Sequence, residues 1–109
     1  MNKLYFIKSN VITQAERMAD KYNYLWHEIE WLIEDNTISI FKCNELYRKI
    51  DYYKEKEEKI NNALYEARSH GSAYKAEWKY IEILKKAASE RDNLDNEINF
   101  VIDVKQKLI

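Results

Sequence analysis

The residues able to do chemistry are few, and their spacing works against them. His27-Glu28-Ile29-Glu30-Trp31 opens like the zinc-protease helix, where two histidines four positions apart share a face and a glutamate serves as base. Trp31 stands where the second histidine belongs, so the ligand pair is missing. The Glu-x-x-His spacing of di-iron bundles fails too: Tyr24 lies three before His27, and Ala67 three before His70. Cys43 is the one cysteine, so no intrachain disulfide can form. As a nucleophile it needs a base, and the pattern supplies none; it reads as a buried structural residue. A single glycine, Gly71, excludes a glycine-rich phosphate loop. The expectation is a protein that is not an enzyme, with no cofactor and no metal.

What remains is chemistry for binding. Tyr24, His27 and Trp31 recur at i, i+3 and i+7, which places them on one stripe of a helix, interleaved with Glu28, Glu30 and Glu34. Tyrosine and tryptophan dominate interface hot spots, so Tyr24, His27, Glu28, Trp31 and Glu34 form the candidate partner-binding set. The bland reading of the same stripe is that a third helix packs on it and it is more core. A second set is Lys75, Lys79 and Lys86, read as one face of the last helix with Tyr74 and Tyr80 nearby. Cations mixed with rings suit single-stranded nucleic acid. Against that, Glu77, Glu82 and Glu90 cancel much of the field, and Glu82 with Lys86 is an ordinary i,i+4 pair.

These residues need elements to hold them. Proline is absent, glycine occurs once, and apolar and charged residues make up 46% and 34% of 109 residues. A sheet protein needs a turn residue every few positions, so the class is all-α. Lys+Arg 18 against Asp+Glu 19 leaves a net charge of −1, too little to pull the whole molecule onto nucleic acid or anionic lipid. Residues 11–35 alone carry −4. Leu4-Tyr5-Phe6-Ile7 is too short for a signal peptide or a membrane span, and a cytoplasmic protein is expected. Fourteen lysines against four arginines, with 13 Ile, 10 Asn and 9 Tyr, point to an AT-rich genome such as that of a low-GC bacterium, or of its phage or plasmid.

Along the chain, residues 1–9 read as an arm and 10–35 as the first helix, capped by Ser9 or Asn10. Its seam is Val11, Ala15, Met18, Tyr22, Leu25, Ile29 and Leu32, in steps of four and three, widened by Ile12, Ala19, Trp26 and Ile33. Residues 36–43 form a connector, and the second helix, 44–69, aligns Cys43, Leu46, Ile50, Tyr53, Ile60, Leu64 and Ala67. Glu57 interrupts that seam within the all-charged run Lys54–Lys59. Gly71 suits the left-handed residue that ends a helix, Ser72 can cap the next, and a third helix spans 73–108. Folding back at Ser69–Ser72 places Leu64 opposite Trp78, Ile60 opposite Ile81, Tyr53 opposite Ala88 and Cys43 opposite Ile98. It also sets Glu57 beside Lys85 and Asp51 beside Arg91. The expected architecture is one elongated antiparallel three-helix bundle, residues 1–109, built on a long helical hairpin with coiled-coil-like packing. Its third helix overhangs, so Val101, Ile102, Val104, Leu108 and Ile109 ask for cover, and a homodimer is expected to supply it.

The functional expectation is a small protein–protein interaction module, of the kind a phage or plasmid uses to inhibit a host defence complex (anti-CRISPR-like). The alternatives are a nucleic-acid-binding accessory protein for replication or recombination and a structural coiled-coil assembly component.

Overall fold

A computed structural model of the chain describes residues 3–34, 40–90, 95–99 and 101–103. The molecule is an elongated helical bundle of 53 × 23 × 18 Å. Its elements, in chain order, are β1 (Tyr5–Phe6), α1 (Ser9–Glu34), α2 (Ile40–Arg68), β2 (Lys75–Ala76) and α3 (Trp78–Ser89). Helical backbone resumes over 95–99 and 101–103. The three-helix bundle expected from the seams is present. The long hairpin, however, is α1 with α2, and α3 packs against both.

The seam of α1 is buried almost as its spacing dictates: Ile12, Ala15, Met18, Ala19, Tyr22, Leu25, Ile29 and Leu32 face inward. Val11, Trp26 and Ile33 pack at its margins. The helix starts earlier than its capping signal implies. The Lys8 carbonyl already accepts from the Val11 and Ile12 amides, so Ser9 lies within the helix, and its carbonyl accepts from the Thr13 hydroxyl. On α2, Leu46, Ile50, Tyr53, Ile60, Ala63, Leu64 and Ala67 are buried. Glu16 with Arg68 and Trp26 with Glu57 fix the antiparallel register of the hairpin. That register sets Ala15 and Ala19 near the level of Ala67 and Ala63, small residues that let two helix axes approach closely.

Gly71 is at φ 100, the left-handed region its type predicts, and the chain reverses there. The third helix then departs from its expected span at both ends. It begins at Trp78 rather than Ala73 because residues 74–76 pair with the N-terminal arm. Tyr5 faces Ala76 and Phe6 faces Lys75 in an antiparallel ribbon, and the Ile7 amide donates to the Tyr74 carbonyl at 2.9 Å. Backbone groups committed to a strand cannot also start a helix. Ser72 therefore caps nothing; the N-cap is Glu77, in extended conformation. At the other end α3 stops at Ser89, with the Glu90 amide donating to the Ala87 carbonyl.

Several expected pairings change as a result. Trp78 is not opposed to Leu64 in the core but half exposed, edge-on to Tyr5 at 5.6 Å. Across the hairpin Tyr53 meets the ring of Tyr22 at 5.9 Å, and Ala87 rather than Ala88 is the buried alanine of α3. Glu57 accepts from the Trp26 indole at 2.9 Å, while the Lys85 ammonium sits over the Trp78 ring at 5.2 Å. Ile60 and Ile81 are both core residues. The pairings proposed for Cys43 and for Arg91, and the burial of Cys43, rest on side chains outside those described. The 36–39 part of the connector and the overhang at Val104, Leu108 and Ile109 lie outside the described residues. Val101 needs no second subunit, since it is buried within this chain, while Ile102 stays partly exposed.

A set of polar ties holds the chain beyond α3 onto the hairpin. The Tyr22 hydroxyl donates to Glu90 at 3.0 Å, Lys21 pairs with Asp95 at 2.8 Å, and Lys49 pairs with Glu97 at 3.3 Å. Burial, then the hydrogen bond to Glu90 for Tyr22 and to Glu97 for Tyr53, pushes both phenols well above their ordinary value of 10.0. A pKa raised in the folded state means the neutral phenol is favoured there. The contribution is complete below about pH 10 and is lost progressively at higher pH. The urea midpoint of the wild type is therefore expected to fall more steeply above about pH 10 than that of a Tyr22→Phe/Tyr53→Phe variant. Parallel curves for the two proteins would show that neither phenol is linked to folding.

Candidate interaction surface

The candidate site is built on the outer face of α1. Leu25, Ile29 and Leu32 are driven inward by the hydrophobic effect, and helical geometry then turns Tyr24, His27 and Trp31 outward. Tyr24 is 42% exposed and Trp31 48% exposed, and His27 and Glu34 are exposed as well. Glu28 is half-buried beside them. The five residues thus lie on one accessible stripe, and α3 packs elsewhere.

Trp26 anchors the stripe from its edge. The His27 ring stacks on the indole at 3.5 Å between centroids, and the Lys54 ammonium lies 4.6 Å from the same ring. The indole N–H donates to Glu57, and Lys54 also approaches Glu30 at 3.8 Å. Here is the reason the charged run of α2 is tolerated: Lys54 and Glu57 serve the half-buried tryptophan across the hairpin. A ring held from three sides gives His27 a fixed surface to stack on. Acidic groups flank the rings, so the stripe suits a partner surface of opposite charge.

The lysine set does not form one face. Lys75 belongs to β2, while Lys79 and Lys86 lie on α3. Lys79 is 3.9 Å from Glu77 and its ammonium lies over Tyr80. Lys86 borders a shallow hollow with Lys56, Lys59, Ile60, Ile83, Ala87 and Glu90. Among the described residues, no group of three or more His, Cys, Asp or Glu is placed to hold a metal ion. Nor is any helix there long and apolar enough to cross a membrane.

Reasoning from the sequence missed a second exposed cluster. Leu4, Tyr5, Phe6 and Trp78 are exposed at the end where the ribbon meets the start of α3, and Phe6 is 76% exposed. The run Leu4–Ile7 was visible as apolar sequence, but it reads as cover for a core edge. In the structure Ile7 alone of the four is buried. Comparison with known proteins supplies no relative: no family model, curated protein or solved structure matches this chain.

Proposed function

We propose that this protein acts by binding another protein through the Tyr24–His27–Trp31 stripe of α1, with Glu28 and Glu34 setting its charge preference. The observation that supports the reading is that two large rings remain nearly half exposed directly behind a fully buried seam. Exposed aromatic residues on a preorganised helix are the commonest anchors of protein interfaces. In its narrower form the proposal is an inhibitor carried by a phage or plasmid that blocks a host defence complex. Small size and the AT-rich residue usage support that form.

The test is capture from nuclease-treated bacterial lysate, with wild type beside Trp31→Ala and Tyr24→Ala. A target retained by wild type is expected to bind either variant at least about thirtyfold more weakly, the loss typical of a hot-spot residue. Circular dichroism should show unchanged helicity, because both side chains are exposed. Equal retention by all three proteins, or loss of helix in the variants, would remove the stripe as the binding site. For the narrower form, expression in cells with an active defence nuclease should restore plating of a targeted phage, and Trp31→Ala should not.

A further inference from the structure

We infer that the ribbon end of the molecule, formed by β1, β2 and the start of α3, binds single-stranded nucleic acid. The site is separate from the α1 stripe and independent of the function proposed for it. Three exposed rings lie at this end: Phe6 on one face of the ribbon and, on the other, Tyr5 packed edge-on to Trp78 with 70° between planes. Each ring is accompanied by a lysine ammonium. Lys75 lies 4.8 Å from the centre of Phe6, Lys3 5.2 Å from Tyr5 and Lys85 5.2 Å from Trp78.

The register explains how the cluster arises. Phe6 and Lys75 are cross-strand partners, so their side chains leave the same face of the ribbon. Ala76, on the opposite face, is completely buried. One face of the ribbon therefore carries the buried Ala76 with Tyr5 at its margin, and the other presents Phe6 with a cation beside it. Folded proteins rarely leave so apolar an edge uncovered without use for it.

The chemistry of the occupant follows from the pairing of rings with cations. A flat aromatic face stacks on any nucleobase, and an ammonium a few ångström away is within reach of the adjoining phosphate. Two carboxylates oppose this, and only Glu77 has a lysine beside it. Glu82 accepts from the Trp78 indole at 2.7 Å, and Glu77 lies 3.9 Å from Lys79. Lysines thus outnumber carboxylates at this end, whereas residues 11–35 carry −4. Rings with a cation beside them occur elsewhere too, as at Trp26 with Lys54, so it is the excess of lysines together with the exposed rings that points to the occupant. A polyanion with stackable bases uses both.

The experiment is fluorescence anisotropy of the intact protein with a labelled oligothymidine of about 12 nucleotides. Binding is expected at about 50 mM salt. Three phosphate contacts predict a weakening of about twentyfold by about 200 mM. Phe6→Ala should weaken binding about tenfold, and Phe6→Tyr, which keeps the ring, should restore it. Lys75→Glu should weaken binding and flatten the salt dependence. Heparin, a polyanion without bases, should bind Phe6→Ala and wild type alike, and Trp31→Ala should bind the oligonucleotide normally. Phe6 is mostly solvent-exposed, so Phe6→Ala is expected to retain its helicity. No anisotropy change at low salt would overturn the inference. So would equal affinity of Phe6→Ala and wild type for the oligonucleotide, or retention on anionic phosphatidylserine vesicles that excess oligonucleotide fails to release.

Discussion

Leu25→Ala is expected to remove about 2–5 kcal/mol of folding stability. Leu25 is fully inaccessible and sits in the α1 seam between Tyr22 and Ile29, both also buried. Truncation there loses the transfer free energy of the deleted carbons and leaves a cavity that rigid helices refill poorly. A domain of this length holds about 5–15 kcal/mol in total, so the variant is left with a fraction of that. Urea unfolding measures the difference, with Trp31→Ala as the comparison. One turn and a half away on the same helix, that exposed residue is expected to change stability by less than about 0.5 kcal/mol. A loss below about 1 kcal/mol at Leu25 would mean the seam is not packed as described.

The second large effect belongs to the ribbon. Ala76→Glu is expected to cost about 3–5 kcal/mol, because it buries a carboxylate with no cation arranged to meet it. The chain can relieve that cost by releasing β2 from the core. Release would separate Tyr5 from Trp78 and break the Ile7 to Tyr74 hydrogen bond. Hydrogen exchange at the Ile7 amide is the sensitive measurement, and it should accelerate sharply in the variant. Lys75→Glu, one residue away on the outer face, should leave both stability and exchange nearly unchanged. If the two substitutions behaved alike, the inner and outer faces of the ribbon would be wrongly assigned.

These two cases differ in how far they could be read without a structure. Leu25 stands in an uninterrupted three-and-four spacing of apolar residues, and only a helix turns such a spacing into a single face. The burial of α1 and α2 follows from local periodicity, as does the outward direction of Tyr24, His27 and Trp31. The left-handed turn at Gly71 was equally legible, because one residue type answers one backbone requirement.

Ala76 carries no such signal. Nothing in Tyr74-Lys75-Ala76 distinguishes the first turn of a helix from a strand, and its partner lies some seventy residues earlier at Tyr5-Phe6. Tertiary structure decided that contest by offering backbone partners that local propensity cannot anticipate. The same holds for charge. Glu57 and Lys85 looked like mates when the second and third helices were folded on each other. In the assembled bundle the half-buried indole of Trp26 donates to Glu57 across the hairpin, because a partly buried N–H takes the acceptor within its reach. The sequence by itself determined which faces are apolar and where one turn must fall. Which faces meet, and hence which rings end up beside which cations, was decided only by packing all the elements together.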